Sequence, residues 1–158
     1  MIMENKVYNN YLTTHPFYSS NPLNLEGSFR FFHANYLKFL PVDKTARILD
    51  IGCGIGHFLA YVKNNNYNNF LGVDIGKEQI DHCGKHITKN VRLINNLNAF
   101  LKENKNSFDF ILMNDVIEHI EKEEIIDTLS FVRTSLKKNG VVVIRTVNLK
   151  NRWGMAVR

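Results

Sequence analysis

The stretch Ile48-Leu49-Asp50-Ile51-Gly52-Cys53-Gly54-Ile55-Gly56-His57-Phe58-Leu59 decides the fold of this 158-residue chain. An apolar run that contains an acid leads into glycines at alternate positions, and an apolar-periodic segment follows. Glycine has no Cβ atom, so a glycine-rich backbone can turn sharply and approach a ligand closely. The stretch therefore predicts the strand, loop and helix start of an α/β nucleotide-type site.

Length and composition predict a single domain, with 44% hydrophobic residues to fill its core. The sequence has neither an apolar run long enough to span a membrane nor a signal-peptide core, so we expect a cytoplasmic protein without a membrane span. Cys53 lies inside the glycine loop, where a disulfide would block the approach of a ligand. We therefore expect Cys53 and Cys83 to be reduced thiols. The net charge of +5 is scattered along the chain, so a nucleic-acid partner is not favoured.

Strand and helix patterns alternate along most of the chain. Residues 1–27 have no clear period and predict an irregular N-terminal arm, after which Ser28 is the expected cap of a helix that ends at Pro41. The alternation predicts an α/β core over residues 28–158, with a doubly wound, Rossmann-like, mostly parallel sheet and helices on both faces. The predicted strands cover residues 47–51, 69–74, 91–94, 108–114 and 141–146, and the helices between them about 56–65, 77–86 and 97–103.

The last predicted helix and strand have their own signals. Acids at Glu121, Glu123 and Glu124 suit the positive end of the helix dipole, and residues 137–140 are expected to close the helix. The strand at 141–146 would then be an exposed apolar edge, which native proteins normally avoid. We expect either that the core is truncated after this strand or that a partner, such as a second copy in a homodimer, covers the edge.

Ligands of open parallel sheets bind outside the carboxyl ends of the strands, beside the first strand. The glycine loop, Asp74 and the segment 114–119 are all predicted to lie there. Asp74 ends the second strand 22 residues after Gly52, where an acid accepts hydrogen bonds from the hydroxyls of a ribose. A nicotinamide dinucleotide would require a third glycine at position 57, which is His57, so an NAD-dependent oxidoreductase is a lesser alternative.

Four motifs follow one another in the chain: 49–56 (LDIGCGIG), 72–75 (GVDI), 108–120 (FDFILMNDVIEHI) and 136–144 (LKKNGVVVI). In kind and in order they resemble the motifs of the class I S-adenosylmethionine-dependent methyltransferases, and the ubiquinone-biosynthesis-like group among them. The resemblance implies a methyltransferase (EC 2.1.1.-) with S-adenosylmethionine as cofactor and S-adenosylhomocysteine as product. It also implies that strands 6 and 7 of the family fold are absent from this chain.

The resemblance implies a role for each residue around the loop. Asp74 would accept hydrogen bonds from the ribose hydroxyls, and Ile75 would pack on the adenine. Asn96 and Leu97 would lie by the adenine edge, where asparagine replaces an acid that is frequent in the family, and Asn114 would lie beside the sulfur. The methionine part of the cofactor would be held by the group Asp50, Gly52, Cys53, Gly54 and Gly56.

His119 is the candidate catalytic residue, because an oxygen nucleophile of high pKa needs a general base and imidazole titrates near neutral pH. A purely structural role at the start of a loop is the alternative. Asp115, Glu118 and His119 also resemble the Glu-x-x-Glu-His segment that binds a divalent metal in ubiquinone-biosynthesis O-methyltransferases and small-RNA 2′-O-methyltransferases. The first acid is one methylene shorter here, and our expectation is that no metal is bound.

The segments that would contact a methyl acceptor carry no diagnostic pattern. The fourth strand does not end in Asn/Asp-Pro-Pro-Tyr, the segment that grips an amino group in nucleic-acid and glutamine N-methyltransferases, so methylation at oxygen is favoured. A small-molecule acceptor is expected, from sugars or polysaccharide precursors or from quinone-like phenols. The alternative from another class is a cofactor-binding module without activity of its own.

Overall fold

The computed structural model describes residues 25–146 of the chain. The strands are β1 (Ile48–Ile51), β2 (Phe70–Asp74), β3 (Val91–Leu93), β4 (Phe108–Asn114) and β5 (Leu136–Arg145). The α-helices are α1 (Leu25–Tyr36), α2 (His57–Asn64), α3 (Lys77–His86), α4 (Leu97–Glu103) and α5 (Ile125–Ser135). Two short 3₁₀ helices cover Leu37–Phe39 and Ile117–His119.

The five strands form one sheet in the order β3-β2-β1-β4-β5, and every strand pair is parallel. The chain moves outward from β1 through β2 to β3 and then crosses to β4 on the other side of β1. Such a reversal creates a crevice at the carboxyl ends of the two strands that flank it. The predicted Rossmann-like α/β fold with a parallel sheet is confirmed.

Two hydrophobic cores lie on opposite faces of the sheet. Phe110 and Leu112 of β4 belong to the core that contains residues of α1, α2 and α3, whereas Ile111 and Met113 belong to the core with residues of α4 and α5. This alternation places helices on both faces, as predicted, and explains why β4 is apolar almost throughout.

The start of α1 differs from the prediction. Ser28 does not cap the helix, because residues 25–27 are already helical. Its hydroxyl lies 3.0 Å from Nδ1 of His57 at the start of α2, a tertiary contact that competes with any capping role. Residues 1–24 of the predicted arm lie outside the described residues, so the division at residue 27 stays a prediction.

The connection between α5 and β5 also differs. The helix ends at Ser135 and β5 begins at Leu136, so residues 137–140 belong to an irregular start of the strand and do not close the helix. The pairing with β4 shifts register here, and Asn139 has a φ of 67°. An ion pair accounts for the early start of the strand, because Nζ of Lys137 donates to Oδ2 of Asp109 on β4 at 2.7 Å.

Within residues 25–146, β5 is an edge strand with half-exposed Val141 and Ile144. That a second copy of the chain covers this edge stays a prediction. In the same range, no helix is long and apolar enough to cross a membrane.

Candidate functional site

The glycine loop after β1 adopts a backbone that only glycine tolerates well. Gly52, Gly54 and Gly56 have φ values of 71°, 52° and 90°. A Cβ on Gly52 would lie 2.5 Å from Cγ2 of Val116, and one on Gly56 would lie 2.3 Å from Sγ of Cys83. Apart from Gly54 and its two chain neighbours, no described residue has an atom within 4 Å of a Cβ built on Gly54. The loop therefore packs tightly at both ends and leaves open space at its middle, where a ligand can approach the backbone.

β2 fixes the position of this loop. The backbone amides of Gly52 and Cys53 donate to the carbonyl oxygen of Val73, at 2.8 and 3.1 Å. The amide of Gly54 donates to Oδ2 of Asp74 at 2.8 Å, and the amide of Gly76 donates to Oδ1 at 2.8 Å. A carboxylate offers about four lone-pair sites, so Asp74 can accept further hydrogen bonds from a ligand.

The floor of the site is acidic. Asp50 is 3% exposed, and burial, together with the nearby charge of Asp74, raises the pKa of its carboxyl well above the ordinary value. Burial also raises the pKa of Asp74, although backbone hydrogen bonds oppose the shift. A positively charged ligand group would offset the free-energy cost of burying these two carboxylates.

Both cysteines are free thiols close to the loop. Sγ of Cys53 would lie 2.8 Å from a Cβ on Gly72 of β2, and Cys83 packs against Gly56. Burial raises the pKa of both thiols, to about 11 for Cys83. Cys53 thus places its side chain against β2, and its backbone is the part that belongs to the loop.

A network of hydrogen bonds joins α1 to the carboxyl ends of β4 and β5. The hydroxyl of Tyr36 on α1 donates to Oδ1 of Asn114. Nδ2 of Asn114 donates to Oδ2 of Asp115 at 2.9 Å, and Nη1 of Arg145 donates to the same oxygen at 2.5 Å. The guanidinium of Arg145 also lies over the ring of Phe31, 5.2 Å from its centroid. α1, β4 and β5 are therefore joined beside the open crevice.

Tyr36 and Arg145 are site residues that the sequence reasoning missed. Tyr36 has the helical spacing of a core residue relative to Phe29 and Phe32, and it is 4% exposed. Burial raises the pKa of its hydroxyl to about 12, so the phenol stays a proton donor near neutral pH. A buried tyrosine hydroxyl needs a hydrogen-bond partner, and this is the one signal that could have indicated a polar contact.

The residues expected around an adenine lie at the ends of β2 and β3. Ile75 and Leu97 are half-buried and pack against the core on the α4 side. Asn96 is exposed and caps α4, because its Oδ1 accepts a hydrogen bond from the amide of Ala99 at 2.8 Å. The oxygen of Asn96 thus already accepts one hydrogen bond, from the backbone of its own helix.

The structure does not group Asp115, Glu118 and His119 as metal ligands. Oδ2 of Asp115 is paired with Arg145, and Oε2 of Glu118 accepts from Oγ1 of Thr146 at 3.0 Å. Among residues 25–146, no three His, Cys, Asp or Glu side chains are placed so that they could hold a metal ion. His119 is exposed on the 3₁₀ helix that follows the end of β4.

Comparison with known proteins gives a consistent result. A family model described as a methyltransferase domain matches residues 25–158. The chain is 29% identical over 144 residues to a ubiquinone biosynthesis O-methyltransferase of Pelagibacter ubique, which covers 84% of this chain and 56% of that protein. A crystal structure of a SAM-dependent methyltransferase from Archaeoglobus fulgidus matches with a TM-score of 0.72 and 26% identity, over 84% of this chain and 57% of that one.

Another solved structure that matches this chain contains a bound ligand. PKMT2 from Rickettsia typhi, in complex with AdoHcy, matches with a TM-score of 0.55 and 33% identity, over 65% of this chain and 21% of that one. The chain spans about half the length of the curated relatives it matches, between 41% and 56% of three of them.

Proposed function

Since the chain belongs to the S-adenosylmethionine-dependent methyltransferases, we propose that it binds S-adenosylmethionine in the crevice at the ends of β1, β2 and β4 and catalyses methyl transfer to a small molecule. The observation that carries this proposal is the glycine loop. Its three positive φ values and the open space at Gly54 form a cradle, and Asp74 holds the cradle from β2. A side chain at position 54 would occupy the space that the cofactor needs.

Each part of the cofactor has a matching group in the site. The backbone of residues 52–56 would hold the methionine part, whose ammonium group and sulfonium would offset the buried charges of Asp50 and Asp74. Asp74 would accept from the ribose hydroxyls. Ile75 and Leu97 would contact the adenine with apolar surface. Asn96 would lie by the adenine edge, where its exposed side chain would hydrogen-bond to the ring.

When bound, S-adenosylmethionine would supply an activated methyl group on its sulfonium sulfur, which would keep the electron pair of the broken S–CH3 bond and become the thioether of S-adenosylhomocysteine. The protein's part in such an in-line displacement is mainly orientation and the exclusion of water. Asn114 is suited to this because the Tyr36 hydroxyl and Asp115 fix its amide from both ends. The network thus shapes the wall against which an acceptor would lie.

His119 is the base in this proposal. His119 is exposed on the 3₁₀ helix that follows β4, five residues after Asn114, and in this proposal it would take the proton of an acceptor hydroxyl. Once an acceptor gives turnover, a His119→Ala variant should transfer the methyl group more slowly than the wild type across about pH 6 to about pH 8, because the acceptor hydroxyl loses its general base. Full rate across that range would leave His119 a structural role only.

An oxygen acceptor is favoured, with quinone-like phenols ahead of sugars or polysaccharide precursors, because the Pelagibacter relative is named for ubiquinone biosynthesis. Two free cysteine thiols suit the reducing cytoplasm that we infer as its location. A cofactor-binding module without activity of its own is the second candidate function.

Calorimetry tests the proposal directly. The chain should bind S-adenosylhomocysteine saturably and should not bind NAD, and an Asp74→Ala variant should bind the thioether at least tenfold more weakly, since charge-assisted hydrogen bonds are lost. Asp81→Ala is the matched control, because Asp81 lies on α3 in an exposed pair with Lys77. Binding of NAD without binding of the thioether would reject the proposal. A binding-competent chain that transfers no labelled methyl group in a broad acceptor screen would favour the module.

A further inference from the structure

Two histidines on α3 form a pair that the proposed function does not use. His82 and His86 are four residues apart in the second half of the helix, and the centroids of their rings are 4.5 Å apart. Side chains at this spacing lie on one face of a helix, one turn above the other. Two histidines at this spacing on one helix face are also the helical part of known zinc sites.

The separation of the two rings suits a shared metal ion. In a tetrahedral zinc site each imidazole nitrogen lies about 2.0–2.1 Å from the ion, which puts two such nitrogens roughly 3.4 Å apart. Rings with centroids 4.5 Å apart reach this separation by rotation about their side-chain torsions alone. No movement of the helix backbone is needed to bring one nitrogen of each ring to the same ion.

Both rings have surface that an ion can reach. His86 is exposed and His82 is half-buried. Nδ1 of His82 is buried and has no hydrogen-bond partner among residues 25–146, so Nε2 is the nitrogen through which this ring would bind. The site would therefore open to solvent on the side of His86.

The donor set favours one class of ion. Imidazole nitrogens suit Zn²⁺, Ni²⁺ and Cu²⁺, whereas Mg²⁺ and Ca²⁺ prefer oxygen ligands. Within residues 25–146, no third His, Cys, Asp or Glu side chain joins the pair to complete a site. Water would occupy the remaining coordination positions.

The last turn of α3 is a place where a bound ion would have a structural effect. The helix has ten residues and contains Gly84, and a glycine inside a helix costs about 1 kcal/mol relative to alanine. In the same turn, Cys83 packs against Gly56 of the glycine loop. An ion that joins His82 to His86 would hold this turn helical, and so would steady the side chain that packs against the loop.

We propose that His82 and His86 together bind one divalent transition-metal ion of the class of Zn²⁺ across the last turn of α3. One nitrogen of each ring and water molecules would hold the ion, and the ion would stabilise the helix. This site needs neither a bound cofactor nor turnover, so it is independent of the proposed function.

Calorimetry of the full chain without an affinity tag, titrated with ZnCl₂ alone, tests the site. We expect the wild type to bind one ion and His86→Ala to bind zinc at least tenfold more weakly, because one of the two protein ligands is lost. His86 is exposed, so its replacement should leave the fold intact. His33→Ala is the matched control, because His33 is an exposed histidine on α1, outside the pair. Its zinc affinity should equal that of the wild type.

Two further measurements distinguish a shared ion from an ion bound to a single histidine. With Cu²⁺ as the probe, electron paramagnetic resonance should show coupling to two imidazole nitrogens in the wild type and to one in His86→Ala. At the same zinc concentration, the midpoint of thermal unfolding should rise more for the wild type than for His86→Ala, since an ion that binds the folded state stabilises it.

Equal zinc affinity of the wild type and His86→Ala would overturn the inference. So would an equal loss in His33→Ala, because the ion would then bind histidines without regard to their spacing. Neither result affects the binding of S-adenosylhomocysteine, which tests the proposed function separately.

Discussion

Gly54 and Gly56 share a left-handed backbone, but packing constrains them differently. At Gly56 a new Cβ would meet Sγ of Cys83, which is fully buried, whereas at Gly54 it would enter open space. We expect Gly54→Ala to lower the free energy of unfolding by about 1–2 kcal/mol, from backbone strain alone. Gly56→Ala adds overpacking and should lose about 2–5 kcal/mol.

Urea denaturation measures this difference, and calorimetry with S-adenosylhomocysteine completes the comparison. Gly54→Ala should stay folded and lose affinity, because its methyl group occupies the cradle. A Gly54→Ala variant with wild-type affinity would mean that the ligand does not approach the backbone at this residue.

At the scale of single residues, the sequence was sufficient to predict the tight backbone of the glycine loop. It contained little indication of which polar side chains pair with one another. Glycine spacing predicts tight turns because the steric demand is local. The pairing of Asn114 with Tyr36 joins residues 78 apart, and no local pattern encodes it.

Among the elements, α1 is held to the rest of the fold both by ring packing and by a hydrogen bond. Phe32 and Tyr36 pack it against α2, and the Tyr36 hydroxyl bonds it to the end of β4. A Tyr36→Phe variant keeps the ring and removes this bond, so we expect the free energy of unfolding to fall by about 1 kcal/mol. Amide hydrogen exchange in the last turn of α1 should become faster.

Tyr61→Phe serves as the control for that prediction. Tyr61 is another buried tyrosine of the same core, and its hydroxyl is 3.5 Å from Nδ1 of His33, too long for a strong hydrogen bond. Its loss of stability should be smaller than that of Tyr36→Phe. Equal losses would indicate that ring packing, and not the bond to Asn114, holds α1 in place.

Element types were predictable, whereas two boundaries were not. Ser28 has the chemistry of a helix cap, yet it lies inside α1 and contacts His57. Residues 137–140 have the composition of a helix end, yet Lys137 pairs with Asp109 and the strand starts early. In both places a tertiary contact outweighs a local preference of about 1 kcal/mol.

For the whole molecule, the alternation of strands and helices was sufficient to predict a parallel sheet. Handedness rules leave few arrangements for such a chain, and the observed order puts β1 at the centre. The central position has an electrostatic consequence, because it buries Asp50 of β1 beside Asp74 of β2. Ionisation of this pair thus affects the stability of the entire fold.

We expect Asp50→Asn to be more stable than the wild type, by an amount that grows as the pH rises from about 4, the ordinary pKa of an aspartate, toward the raised pKa of the folded state. The folded state raises the pKa of Asp50 through burial, so the wild type loses stability as the pH passes from the unfolded to the folded pKa. Asparagine does not ionise and escapes this loss. Urea denaturation across that range measures the difference.

Asp109→Asn should show the opposite trend. Burial opposes the shift at Asp109, but hydrogen bonds from Lys137 and from the Arg47 amide outweigh it and lower the pKa of the carboxyl. Its ionised form therefore stabilises the fold above the unfolded pKa, and this contribution is lost as the pH falls through the folded pKa. If the stability differences of the two variants changed with pH in the same direction, burial of the Asp50 charge would not be what destabilises the wild type.

A ligand of opposite charge, such as S-adenosylhomocysteine with its ammonium group, should reduce the stability difference between Asp50→Asn and the wild type at neutral pH.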